Sequence, residues 1–148
     1  MFDDRPHWLT LQRNWRMQVG ASLLLPVALV WLLSEQAAAW EEAALPLFIA
    51  GMALIFLSLW RFPHYKRALM HIEATREADD DTRAEAWSIL HRQQLNGMLV
   101  AKLPGWAGML HFLCTADTAA LVLLVLASQA VLLLYRPPGA WVRAARQG

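Results

Sequence analysis

The chain has 148 residues, 57% of them hydrophobic and 17% charged, with a formal net charge of +1. Average soluble domains are about 45 to 50% apolar, so composition argues against a water-soluble globule, and one membrane domain is the natural count; the basic residues cluster in the N-terminal arm, the middle segment and the tail, a segregation that speaks about orientation and not about nucleic acid. The single cysteine, Cys114, excludes an intramolecular disulfide framework.

In chain order, residues 1–16 form an N-terminal arm carrying Arg5, Arg13 and Arg16, followed by an uncharged apolar run from Met17 to Ser34. Ala37-Ala38-Ala39 follow the run and loosely resemble a signal-peptide cleavage site. The run exceeds the usual signal-peptide core of roughly 7 to 15 residues, so it is expected to be retained as a span. A second run extends from Ala43 to Trp60 and another from Thr118 to Tyr135. Each approaches the roughly 20 apolar residues that carry a helix across hydrocarbon.

Residues 61–94 have the pattern of a soluble helical hairpin. Pro63 suits a helix start or a kink, and Tyr65, Ala68, Leu69 and Ile72 then share one helical face. Asp79-Asp80-Asp81 reads as a solvated turn rather than a calcium loop, since consecutive carboxylates point in different directions. Thr82 with Glu85 fits a capping box opening a second helix, whose apolar face is Ala86, Ile89 and Leu90 with Trp87 beside it. Two such faces can pack on each other or present a docking surface. The partner-binding candidates are Trp87, Ile89, Leu90, Leu69 and Ile72, with Trp87 first because Trp is enriched among interface anchors.

Leu95 to Thr115 is apolar but holds Lys102, Pro104, Gly105 and His111. If it spans, the arm, the hairpin and the tail at residues 136–148, with Arg136, Arg143 and Arg146, share one side, and the connections at residues 35–42 and 114–117 carry no Lys or Arg. The tendency of Lys and Arg to stay cytoplasmic therefore predicts four transmembrane helices with both termini cytoplasmic. Lys102 would lie within about two turns of the cytoplasmic end and snorkel there. The alternative is a re-entrant third helix broken at Pro104-Gly105. Trp15, Trp31, Trp40, Trp60, Tyr135 and Trp141 sit at the expected interfaces.

Within the bundle, Gly97, Ala101 and Gly105 recur every fourth residue as a smooth helix-packing stripe, with Ala116, Ala120 and Ser128 a looser counterpart. Gln129, in the middle of the last run, calls for an interhelical hydrogen-bond partner.

Reactive constellations are sparse. His64 and His71 are seven residues apart, about two helical turns and too far to share an ion, and no metal, haem or other cofactor is expected. His111, Cys114 and Asp117 are spaced by threes, close enough on a helix for an imidazole to promote a thiolate, which makes them the catalytic candidates. Against that, Asp117 just before Thr118 has the position of an N-cap. Dinucleotide glycine patterns, a Gly-x-Ser-x-Gly elbow and a His-Glu-x-x-His helix are absent. The expectation is a small inner-membrane accessory, assembly or scaffolding subunit of bacterial type, given the Ala-, Leu- and Arg-rich composition, with lipid and other membrane subunits as partners and no nucleic acid. Two alternatives stand: a self-associating transporter or channel with a polar path at Lys102, His111 and Gln129, and a membrane-embedded thiol or redox enzyme using Cys114.

Overall fold

Long apolar runs separated by capping residues leave the backbone no option but helix, since intrasegment bonding is the only way to satisfy peptide groups without water. The computed structural model describes residues 2–147; Met1 and Gly148, the outermost residues of the arm and tail, lie outside them. It is all-helical, with no strand among the described residues: α1 (Arg5–Leu32), a 3-10 turn (Glu41–Ala43), α2 (Ala44–Ala74), α3 (Asp80–Thr115), α4 (Thr118–Leu134) and α5 (Gly139–Gln147). Two helices, Arg5–Leu32 and Glu41–Ala74 with its leading turn, are long and apolar enough to cross a membrane, and a third crossing is counted if α4 and α5, bent apart by 60°, are taken together.

The arm, the hairpin and the spans are not separate elements. α1 begins at Arg5, with Pro6 in its first turn where a missing N–H costs nothing, and continues unbroken into the first apolar run. α2 runs straight through the exposed Pro63, so this residue neither starts nor ends a helix. The thirty-one residues of α2 and thirty-six of α3 correspond to about 46 and 54 Å at 1.5 Å per residue. Both exceed the roughly 30 Å of a hydrocarbon core, and they pack antiparallel as one long hairpin whose closed tip is residues 75–79.

The break at Pro104-Gly105 that the re-entrant alternative required does not occur. Proline lacks the N–H that would bond the carbonyl of Val100, and the Ser58 hydroxyl on α2 supplies that donor instead, 2.8 Å from Val100 O. The capping box also needs correction. The N-cap of α3 is Asp79, whose carboxylate accepts the Thr82 amide at 3.1 Å and the Thr82 hydroxyl at 2.7 Å, so Thr82 is a donor three residues inside the helix. Asp117 caps α4, accepting the Ala119 amide at 2.9 Å.

At the end away from the arm, the α1–α2 connection caps α3. The amides of Ala39 and Trp40 donate to the Cys114 carbonyl at 3.0 and 2.8 Å, and the Gln36 side chain donates to the Leu113 carbonyl at 2.9 Å. These are among the carbonyls a helix terminus leaves unpaired. The main core lies at the opposite end, where Trp8, Leu11, Tyr65, Ala68, Ile72, Trp87, Leu90, Tyr135 and Val142 are buried together from α1, α2, α3, α5 and the end of α4.

Candidate functional site

The arm end is organised by one buried cation. Arg83 lies four residues before Trp87 and seven before Leu90, so it falls on the apolar stripe of α3 and is largely withdrawn from water. Its Nε donates to Asp4 Oδ1 at 2.9 Å, its Nη2 to Asp4 Oδ2, and its Nη1 to the Thr75 carbonyl at 3.0 Å. This fork-on-carboxylate geometry is the one that offsets the cost of burying a guanidinium. The Trp87 indole N–H donates to the same Asp4 oxygen at 2.7 Å. The Asp4 carboxylate thus fixes the arm to α3, and the Arg83 guanidinium it holds reaches on to the Thr75 carbonyl at the end of α2.

Aromatic rings close the rest. Trp8 meets Trp87 edge-on at 4.7 Å and Trp141 of α5 at 4.9 Å. His7 is stacked between Phe2 and Trp87, at 5.4 and 4.8 Å, and its Nδ1 lies 3.2 Å from Nε2 of His91. Burial holds the His7 imidazole below its ordinary value of 6.5 against the opposing pull of Asp4 and Asp3. Burial lowers His91 as well, with the His7 charge adding to it. Beside this junction is an open cavity of about 240 Å³ between Trp8, Ile72, Arg76, Arg83 and Trp141.

This packing changes the role of the partner-binding candidates. Trp87 and Leu90 are wholly buried, Ile72 is buried, and Leu69 and Ile89 are half-buried. The buried part of this apolar face is covered by the arm, on which α5 packs in turn, and the spacing of the hairpin residues alone could not reveal that. Among large apolar residues of the hairpin below Trp60, Met70 is the exposed one, at 59%.

Farther along the bundle the polar side chains form a ladder on α1. Trp15 donates its indole N–H to the Leu132 carbonyl at 2.8 Å, Gln18 accepts from Lys102 Nζ, and Ser22 accepts from the Gln129 amide at 2.7 Å. Residues 15, 18 and 22 share one helix face, so α1 is attached to α3 and α4 by successive hydrogen bonds. Lys102 also sits over the Trp106 ring, 5.7 Å from its centre. Gly97 lies against the Tyr135 ring, Gly105 against Ser128 and Gly108 against Leu124, so the small-residue face of α3 meets α4. Ser128 donates to the Ala101 carbonyl at 2.7 Å.

The catalytic candidates are not brought together. His111 is buried and its Nδ1 lies 3.1 Å from the Thr115 hydroxyl, one turn on, rather than at Cys114. Cys114 is half-buried and faces an apolar recess with Trp40, Leu47 and Leu110, while Asp117 is occupied as the α4 cap. No group of three or more His, Cys, Asp or Glu side chains among the described residues is placed to hold a metal ion.

Four residues that matter here were not singled out by sequence reasoning: Asp4, His7, Arg83 and Gln94. Gln94 is fully buried and donates to the Leu11 and Tyr135 carbonyls at 3.3 and 3.2 Å, tying α1 to the end of α4. A signal existed for two of them, because Arg83 and Gln94 share the spacing of Ala86, Trp87 and Leu90 and are polar residues on an apolar stripe. No protein-family model matches the chain, and no curated protein and no solved structure is significantly similar to it.

Proposed function

We propose that this chain is a small accessory, assembly or scaffolding subunit of a membrane protein complex, crossing the inner membrane four times with the arm, hairpin and tail on the cytoplasmic side. The observation that supports it most is where the polar groups go. Lys102, His111, Gln129, Ser58 and Ser128 are each bonded to another group of the same chain, whereas large apolar side chains remain uncovered outside the bundle. A bundle that spends its polar residues on internal attachment has its outer faces free for lipid and neighbouring subunits.

The topology has two supports. α3 lies against both α2 and α4 over the residues assigned to the third crossing, and Lys102 has a side-chain partner there, which lowers the cost of a cation in that segment. The transporter alternative loses the helix break that motivated it, since α3 is continuous at Pro104. The thiol-enzyme alternative has less support, since the His111 Nδ1 lies at the Thr115 hydroxyl and not at Cys114.

Docking is assigned to the outer face of the hairpin and to the lipid-facing sides of the spans. Affinity purification of the full chain after mild detergent extraction tests it, alongside Met70→Glu, which charges the exposed face of the hairpin without touching the core. Stoichiometric co-purification of another membrane protein, weakened by Met70→Glu, is the expected result. Recovery of this chain alone, with or without chemical cross-linking before extraction, refutes the assignment.

A further inference from the structure

α2 leaves its apolar run at Trp60, and residues 60, 64, 67 and 71 then recur at intervals of four, three and four, which places them on one helix face. Trp60 is 77% exposed, and His64, Arg67 and His71 are exposed below it. Ile89 and Gln93 of α3 run alongside, and the two rows enclose a groove of about 550 Å³ lined by His64, Arg67, Ala68, His71, Ile89 and Gln93. No carboxylate lines it. Arg67 has no ion-pair or hydrogen-bond partner among the described residues, whereas Arg83 is held by Asp4 and Arg76 lies 3.6 Å from Glu73. In the other direction, the same face of α2 carries Phe56, 72% exposed, and Ile49, also exposed.

Read along the helix, this face is apolar, then aromatic, then cationic and rich in hydrogen-bonding groups. That is the order of a phospholipid leaflet from acyl chain through interface to phosphate. The helix direction adds to the match. Side chains lean toward the N-terminus of their helix, and α2 runs out of the apolar region here, so Arg67 leans back toward Trp60. Its Cα lies about 10 Å of helix rise beyond that of Trp60, and the guanidinium on its flexible stem can span most of the gap.

We propose that this groove binds the phosphate of an anionic phospholipid headgroup, with Arg67 as the bidentate donor, His64, His71 and Gln93 as hydrogen-bonding neighbours, and the acyl chains lying along Phe56 and Ile49. Arginine is suited to the task because its planar fork matches two phosphate oxygens. The site requires only that α2 cross the bilayer, and so is independent of any protein partner.

The test uses the isolated full chain in nanodiscs containing spin-labelled phosphatidylglycerol or spin-labelled phosphatidylcholine, with the fraction of motionally restricted label as the readout. The wild-type chain should prefer the anionic lipid several-fold, and Arg67→Ala should remove most of that preference, because it takes away the fork that grips two phosphate oxygens. The double substitution His64→Ala with His71→Ala should remove what remains in the Arg67→Ala background. Lys66→Ala removes the same charge from the adjacent position on a different helix face and should lower the preference clearly less than Arg67→Ala does. Lys66, His64, Arg67 and His71 are all exposed, so an unchanged melting temperature accompanies each variant. An equal loss in Lys66→Ala and Arg67→Ala overturns the proposal in favour of diffuse surface charge. Displacement of the labelled lipid by inorganic phosphate overturns it in favour of a soluble phosphate ligand, and no change in Arg67→Ala overturns it outright.

Discussion

At the arm end the helices meet through large side chains, Trp8, Trp87, Leu11, Leu90, Tyr65 and Ile72, whereas along residues 97–128 α3 and α4 meet through Gly97, Ala101, Gly105, Gly108 and Ser128. The contrast follows from the solvent each end avoids. Water rewards burial of a large apolar side chain by about 1.5 to 3 kcal/mol, so the arm end builds an aromatic core around a charged clamp. On the proposed topology the second region faces lipid, which gives no such reward because its tails are as apolar as leucine. Attachment there comes from close backbone approach and from hydrogen bonds such as Gln129 to Ser22. The same chain therefore assembles its two ends by different forces, and substitutions should separate them.

The largest effect is expected at the clamp. Asp4→Ala removes the carboxylate partner of buried Arg83 and the acceptor of Trp87. Its cost should be about 3 kcal/mol, the lower part of the range for broken buried pairs because Asp4 is partly exposed. Hydrogen exchange should then accelerate over residues 5–14 while residues 118–134 stay protected; uniform acceleration of both would mean that the two ends are one cooperative unit. In the apolar half, Gly97→Ala drives a methyl group into the Tyr135 ring and should cost about 1 to 3 kcal/mol. Gly105→Ala leaves 3.4 Å to the Ser128 hydroxyl, an ordinary contact, and should change the melting temperature little. Similar losses in the two glycine variants would show that α3 and α4 do not meet in this register.

Much of this was legible in the sequence, and the parts that were not have physical reasons. The apolar runs, the hairpin between residues 61 and 94 and the stripe at Gly97, Ala101 and Gly105 follow from periodicity alone. Periodicity shows that Trp87, Leu90 and Ile72 share faces with apolar neighbours, but not that the arm covers them. That cover depends on contacts such as Asp4 to Arg83, 79 positions apart. Pro104 is a comparable case. Whether it breaks a helix depends on whether another residue satisfies the freed carbonyl, and Ser58 does so from a different helix, 42 positions from Val100. The candidate site was less legible than the fold, since His111, Cys114 and Asp117 have a suggestive spacing that their actual partners dissolve.

Smaller effects sharpen the comparison. Gln129→Leu should cost about 0.6 kcal/mol, the average for interhelical hydrogen bonds in lipid, and Ser22→Ala combined with it should add nothing further. A full additive cost would remove the Gln129–Ser22 rung from the ladder. The smallest expected effect is a pH dependence confined to the arm end. His7 and His91 are held below 6.5 by burial, so the undocked arm and hairpin take up protons first as pH falls through about 6.5. Docking is therefore fully stable above that value and loses stability below it, levelling off below the lowered values. Hydrogen exchange of residues 5–14 should be faster at about pH 5.5 than at about pH 8 after correction for intrinsic rates, and His7→Gln should flatten the difference. A more protected arm in acid would reverse the sign and refute the assignment.

The central claim is that the arm, hairpin and tail form one assembly on a single side of the membrane, joined by an even number of crossings. The direct measurement is labelling with a membrane-impermeant maleimide in intact cells, using Arg143→Cys and Glu41→Cys separately in a Cys114→Ser background. The account predicts that the cysteine at position 41 reacts from outside, whereas the one at position 143 reacts only after the membrane is permeabilised. Reaction of both from the same side would contradict it.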